Sequence, residues 1–164
     1  MNVFLVSLVS ATLLVSLVAG FTFAFACVVM PGSATLADRE FLRSFQVVDR
    51  VIQNGQPLFG LVWIGSAIAL VVAAWTGFGR VEGIDRTLLV TATVLFLGGV
   101  QVPTAVVNIP LNNQLQSLDL ASMPESDVAN ARGAFESRWN RWNQIRTGVA
   151  TVAALLLIVL ILRL

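Results

Sequence analysis

The sequence predicts an all-α integral membrane protein: a four-helix antiparallel bundle with an amphipathic interfacial helix after the first span. Hydrophobic residues make up 57% of its 164 residues and charged residues 12%, against roughly 45–50% and about 25% in soluble domains. Four apolar segments approach the length of about 20 residues that a bilayer-crossing helix needs. The length fits a single domain over residues 1–164.

The first predicted span covers residues 3–30. Pro31 predicts its end, because proline lacks a backbone donor and its ring clashes with the preceding turn. A different pattern follows at residues 37–53, where apolar side chains such as Phe41 and Phe45 recur at helical spacing among charged ones. Such an amphipathic helix belongs at the membrane surface or over the mouth of the bundle.

The second and third predicted spans cover residues 58–76 and 87–108. The short link between them makes them antiparallel neighbours. Glycines and Pro103 interrupt the third span. In a regular helix Gln101 and Asn108 fall on one face, which predicts a polar stripe that runs from the end of this span toward the middle of the bilayer.

The segment 109–142 is predicted to hold a long, solvent-exposed loop and then the start of the last helix, near Asp127. The fourth span follows at residues 143–162. Its apolar part is too short to cross the bilayer alone, so Trp142 and Arg146 are expected at membrane depth to complete it.

Two stretches, residues 108–113 and 139–146, concentrate polar and aromatic side chains in this apolar chain. Trp139, Trp142 and Arg146 are spaced by three and four, so they share one helical face. This combination suits a flat, apolar aromatic or amphiphilic small molecule, because indoles stack on rings and a guanidinium pairs with an oxyanion. The predicted substrate-binding residues are Asn112, Asn113, Trp139, Trp142, Asn143 and Gln101.

Arg146 is the strongest single candidate for a functional residue. A charge at the start of a short span is costly unless it has a partner, and the expected protein partner is Asp49, or else Asp38 or Glu40, from the same side of the membrane. The tryptophans also fit a role as interfacial anchors, and the asparagines fit a role in helix–helix hydrogen bonds. The sequence leaves these uses open.

Composition excludes several classes of site. Histidine is absent and Cys27 is the single cysteine, so zinc, copper and haem sites with their usual ligands are not expected. The acidic residues are not clustered, and no metal site is predicted. A net charge of +1 provides no basic field for nucleic acid.

Three motifs resemble the anthrone oxygenase-like family of small four-helix integral membrane proteins: Met30-Pro31-Gly32, Asn108-x-Pro110-x-Asn112 and Trp139-x3-Asn143-x2-Arg146. Polyketide-pathway members of that family oxidise an anthrone to an anthraquinone with dioxygen and no evident metal or flavin, although many bacterial members have no assigned reaction. The resemblance implies a cofactor-independent oxygenase. The site residues it implies are Asn108, Asn112, Trp139, Asn143 and Arg146. Some relatives have a histidine in the last motif; this chain has none, which leaves imidazole-based proton transfer in question.

The resulting hypothesis has three catalytic residues. Arg146, together with either Asn108 or Asn112, stabilises the oxyanion of an aromatic enolate. Asp49 is assigned as the base, on the strength of its loop placement alone.

Two other functions fit the same residues. One is a non-catalytic protein that binds a lipid or a quinone; the other is a structural subunit of a larger membrane complex, with a membrane-protein partner or a second copy of the chain. The chain is predicted to be a multi-pass protein in the lipid bilayer of the cell membrane. The first long loop has three arginines and the second has four, whereas the short loop has two and the C-terminal end has one. This distribution predicts that the long loops are cytoplasmic.

Overall fold

The computed structural model describes residues 2–164, and this part of the chain consists of helices and the turns between them, without a strand. It contains five helices: α1 (Val3–Ser33), α2 (Asp38–Gln53), α3 (Pro57–Gly77), α4 (Gly83–Gln116) and α5 (Glu125–Arg163). All except α2 are long and apolar enough to cross a membrane. The predicted all-α membrane bundle is therefore confirmed.

The long helices run antiparallel to their neighbours in the chain. α2 and its flanking turns join α1 to α3, and short connections join the other pairs. At one end Arg163 pairs with Asp85, and Arg80 donates a hydrogen bond to Oδ1 of Asn2 (3.3 Å). α2 and the α4–α5 loop cover the other end, here called the α2 end. In the turn between α2 and α3, Gly55 has a φ of 81°, a left-handed conformation that glycine adopts without steric cost.

Two buried clusters hold the bundle together. The membrane cluster joins α1, α3, α4 and α5 through side chains that include Leu8, Val15, Leu70, Phe96 and Leu157. The α2-end cluster joins α2 to the ends of α1, α4 and α5 through Phe25, Phe41, Leu42, Leu115, Phe135 and Trp139. The outward faces of the long helices carry exposed Val, Leu and Ile side chains, as expected for surfaces that meet lipid tails rather than water.

α2 is docked onto the bundle. Phe41 and Leu42 on its inner face are fully buried, and Nε2 of Gln46 donates to the backbone carbonyls of Leu115 (2.8 Å) and Leu118 (3.1 Å). The helix is therefore folded over the mouth of the bundle, and its outer face remains exposed.

Three prolines lie inside the long helices, and each follows a π-bulge, a turn with hydrogen bonds to the carbonyl five residues back. The pairs of bulge and proline are Phe25–Val29 with Pro31, Leu97–Gln101 with Pro103, and Thr104–Asn108 with Pro110. The wider turn displaces the carbonyl that the proline ring would otherwise contact, so the helix continues past the proline. The prediction that α1 ends at Pro31 is wrong, because the helix runs on to Ser33.

The long loop predicted to begin at Ile109 is wrong for the same reason. α4 continues through its third bulge and its proline to Gln116, and the connection to α5 is only residues 117–124. α5 begins at Glu125, two residues before the predicted start at Asp127. The amides after the third span therefore project from a helix and have fixed directions.

Candidate functional site

A cavity of about 240 Å³ lies at the α2 end, bordered by side chains from all five helices described above. A cavity of about 150 Å³ holds one benzene ring, so this one has room for a larger fused-ring molecule. Its lining is mostly apolar with a few convergent polar groups, as is typical of small-molecule sites. The lining residues are Phe21, Phe25, Phe45, Val48, Asp49, Ile52, Gln53, Phe59, Trp63, Thr104, Asn108, Ile109, Asn112, Asn113, Trp139, Asn143 and Arg146.

The cavity has two aromatic walls that come from different helices. Trp139 of α5 packs against Phe25 (ring centroids 5.7 Å apart) and edge-on against Phe45 (5.2 Å). Trp63 of α3 stacks on Phe59, with centroids 5.3 Å apart and ring planes at 17°. Phe21 links the two walls, with its ring centroid 4.9 Å from that of Phe25 and 5.3 Å from that of Phe59. The cavity therefore offers continuous aromatic surface on which a flat aromatic ligand can stack.

Arg146 lies on α5 with only 4% of its surface exposed. Its Nη1 donates to Oγ1 of Thr104 (2.8 Å) and its Nη2 donates to Oδ1 of Asn143 (3.1 Å). Nε has no hydrogen-bond acceptor among residues 2–164. The guanidinium carbon is 5.9 Å from the ring centroid of Trp139, so the charge borders the aromatic wall of α5.

The predicted carboxylate partner of Arg146 is wrong. Across residues 2–164, no carboxylate oxygen lies within 4.0 Å of its guanidinium nitrogens. Asp38 pairs with Arg132 at 2.9 Å, Glu40 is exposed, and Asp49 bonds to amides. A buried charge that lacks a counter-ion is costly, so Arg146 stays a candidate for pairing with an anionic ligand atom.

Asn108 is the second polar side chain with unmet hydrogen bonds. Only 2% of it is exposed, and neither Nδ2 nor Oδ1 has a partner in the described part of the chain. A buried polar group without a partner costs about 1–3 kcal/mol. Asn108 and Arg146 border one cavity, so the unmet donors of both belong to the same site.

Asp49 anchors a hydrogen-bond network on the α2 side of the cavity, and it is 4% exposed. Its Oδ1 accepts from Nδ2 of Asn112 (2.8 Å), and its Oδ2 accepts from Nε2 of Gln53 (2.6 Å) and of Gln116 (3.1 Å). Oδ1 of Asn112 in turn accepts from the indole N–H of Trp139 (2.9 Å). An ionised carboxylate has about four acceptor positions, so three donors leave one for a ligand proton.

Seven of the nine residues predicted for the site border this cavity: Asp49, Asn108, Asn112, Asn113, Trp139, Asn143 and Arg146. Gln101 and Trp142 do not. Nε2 of Gln101 donates to the backbone carbonyl of Trp63 (3.2 Å), because the π-bulge adds a residue to its turn and rotates Gln101 off the face it shares with Asn108 in a regular helix. Trp142 is half-buried against the α2-end cluster, so the indole wall of α5 is Trp139 alone.

The aromatic residues that α1 and α3 contribute are not among the residues predicted from the sequence. Phe21 and Phe25, like Phe59 and Trp63, are four residues apart and so share a helical face. That spacing was a usable signal, but aromatic residues near the end of a span are equally typical of interfacial anchors. Gln116, which donates to the cavity carboxylate, lies in the segment predicted to be a loop, where the direction of a side chain cannot be predicted.

Comparison with known protein families shows which family the chain belongs to. A family model described as anthrone oxygenase matches residues 49–156, more than half of the chain. The protein belongs to the anthrone oxygenase family. The matched segment of this family member includes all seven predicted residues that border the cavity, whereas Phe21 and Phe25 lie before it. No curated protein and no solved structure matches the chain.

Family membership and four helices of spanning length together make this a multi-pass membrane protein. Within residues 2–164, no three His, Cys, Asp or Glu side chains are grouped to hold a metal ion. The polar groups that converge on the cavity are amides, one guanidinium, one carboxylate and one hydroxyl, a set suited to hydrogen bonding and proton transfer.

Proposed function

We propose that this anthrone oxygenase family member binds a flat aromatic ketone and oxidises its benzylic CH₂ with dioxygen, without a metal or organic cofactor. One observation carries the proposal. A single aromatic-walled cavity brings the unpaired donors of Arg146 and Asn108 together with the carboxylate of Asp49. Stabilising an enolate requires donors for its oxyanion and a base for the proton that is removed.

Such a substrate has two reactive ends, and each needs a different group of the site. In an anthrone, the ketone and the CH₂ lie on opposite edges of the central ring. Arg146 and Asn108 come from α5 and α4, and Asp49 comes from α2. The rings then lie along Trp139 and Trp63, with the ketone oxygen toward the guanidinium and the CH₂ toward the carboxylate.

The chemical steps balance with dioxygen as the oxidant. Asp49 takes a proton from the CH₂, and the electron pair delocalises onto the ketone oxygen, where Nε of Arg146 and Nδ2 of Asn108 stabilise the negative charge. The enolate carbon transfers electrons to dioxygen and forms a C–O bond, and the resulting peroxide takes up the proton. Loss of water from this hydroperoxide gives the new carbonyl, so one CH₂ and one O₂ yield one C=O and one H₂O.

The test uses anthrone as the probe, with purified protein in mild detergent under ¹⁸O₂. We expect one ¹⁸O in the quinone carbonyl and one O₂ consumed per quinone, above the spontaneous oxidation measured without protein. Asp49→Asn is expected to lower the rate by roughly 10²- to 10⁴-fold, the usual contribution of a general base. Glu40→Gln on the exposed part of α2 is the matched control and should keep the wild-type rate.

Binding measured beside turnover separates an oxygenase from a non-catalytic binder. Asp49→Asn should retain anthrone, since the aromatic walls and Arg146 are unchanged. Retention of anthrone by the wild type without ¹⁸O incorporation would overturn the oxygenase proposal and favour a binding protein. An unchanged rate and pH dependence in Asp49→Asn would remove this carboxylate from the scheme.

We also propose that the protein resides in the cell membrane with its α2 end in the cytoplasm, as the arginine distribution favours. Ser122→Cys in a Cys27→Ser background places one thiol in the exposed α4–α5 loop. A membrane-impermeant maleimide should label it in lysed cells and leave it unlabelled in intact cells. Labelling in intact cells would reverse the orientation.

A further inference from the structure

A second groove lies on the outer face of α2, away from the cavity. It has a volume of about 340 Å³ and is lined by three arginines of α2, by Val47 and by loop residues 118–121. Arg39, Arg43 and Arg50 are separated by four and seven residues, so they form one stripe along the helix. None of them belongs to the site described above.

The charge of this groove is only partly neutralised. Arg39 pairs with Glu125 at 2.6 Å, but its Nη1 is buried and has no acceptor among the described residues. Arg43 and Arg50 are exposed and make no ion pair within residues 2–164. The one acid in the lining is Asp119, whose Oδ1 accepts a hydrogen bond from a backbone N–H of its own loop.

Apart from Gln46, whose Nε2 is bonded to the carbonyls of Leu115 and Leu118, the rest of the lining is apolar. Val47, Leu118 and Leu120 face the same groove. The stripe of α2 next to the arginines carries Val47 and Val51, which are 59% and 56% exposed. An interfacial helix with this pattern places its valines at the acyl boundary and its arginines at headgroup level. A guanidinium rim around an apolar floor fits an amphiphile with an anionic head better than it fits a free ion.

We propose that this groove binds an anionic phospholipid of the leaflet at the α2 end. The phosphate lies on the guanidiniums of Arg43 and Arg50, whose planar forks match phosphate oxygens. The glycerol and first acyl carbons lie against Val47 and Leu118. Because the inner face of the same helix carries Asp49, the bound lipid holds in place the helix that covers the cavity, whatever reaction occurs there.

The experiment measures lipid affinity by native mass spectrometry of the whole protein in detergent, titrated with phosphatidylglycerol or with phosphatidylcholine of the same acyl chains. Wild type should bind phosphatidylglycerol more tightly. The attraction of each basic residue near an anionic surface corresponds to roughly a fivefold change in affinity. R43Q/R50Q should therefore lose roughly 25-fold for phosphatidylglycerol, and each single variant roughly fivefold.

The matched control is R138Q/R141Q, which removes the same charge from exposed positions of α5 near the same end and outside the groove. It should change the affinity less than twofold. Equal losses of phosphatidylglycerol affinity in both double variants would mean a diffuse charge effect and would overturn the site. Unchanged affinity in both double variants would overturn it as well. Displacement of the lipid by millimolar inorganic phosphate, with phosphate retained, would identify a free anion as the ligand and overturn the lipid assignment.

Discussion

Replacing Arg146 with methionine separates a binding role from a structural one, because the two roles predict opposite outcomes. Only 4% of Arg146 is exposed, and its guanidinium has no carboxylate partner among residues 2–164. Methionine keeps the length of the apolar stem and fills irregular space. The variant therefore removes a buried charge without leaving a large cavity.

The contacts of Arg146 allow an estimate of the stability change. Its two hydrogen bonds, to Thr104 and Asn143, contribute about 1.5–3 kcal/mol each as bonds from a charged donor. The desolvation of the buried guanidinium costs several kcal/mol and offsets these hydrogen bonds. Nδ2 of Asn143 keeps its bond to the carbonyl of Thr22. We expect the free energy of unfolding without ligand to stay within about 2 kcal/mol of wild type.

Ligand binding should respond differently. Loss of one charge-assisted hydrogen bond to the ligand oxygen, at about 1.5–3 kcal/mol, weakens the affinity for anthrone roughly ten- to hundredfold. Equilibrium dialysis against detergent-solubilised anthrone gives the dissociation constant, and titration into denaturing detergent gives the stability. Arg141→Met, an exposed position on the same helix, should change neither quantity.

The opposite result would refute this account of Arg146. If Arg146→Met lost about 3–5 kcal/mol of stability, the cost of breaking a needed buried pair, and still bound anthrone with wild-type affinity, the guanidinium would be architectural. The unpaired Nε of Arg146 would then not indicate a ligand-binding site.

Two further predictions concern the wall of α3 and its packing. Trp63→Ala should weaken anthrone binding, measured by dialysis, by about two- to tenfold through loss of ring stacking. Trp75→Ala, at a site that is 86% exposed, should leave this binding unchanged. Equal effects of the two substitutions would contradict the assignment of Trp63 to the cavity wall. Gly77→Ala should lower stability by about 1–3 kcal/mol through overpacking, because an added Cβ would meet the ring of Phe4, which is itself buried. Gly60→Ala on the same helix meets nothing within 4 Å and should be neutral or slightly stabilising by thermal unfolding.

The comparison of prediction and structure is clearest at the prolines. Proline normally ends or kinks a helix. Pro31 and Pro110 nevertheless lie inside continuous helices, because a π-bulge precedes each of them. The three bulge segments share no residue pattern that would predict a bulge from the sequence. The same effect turned Gln101 toward α3, although a regular helix would have placed it with the cavity residues.

The sequence by itself determined the helices, their membrane class and the polar stretches that hold Asn108 and Arg146, because hydrophobicity and helical period are properties of contiguous residues. Only the tertiary structure decided which aromatic residues face the cavity and that Arg146 has neutral partners instead of Asp49. The physical reason is that an apolar side chain in a membrane helix is equally compatible with lipid and with protein, so its burial depends on how each helix is rotated against the others. That rotation is set by contacts between residues far apart in the chain, such as those that bring Trp63 of α3 to the same cavity as Trp139 of α5.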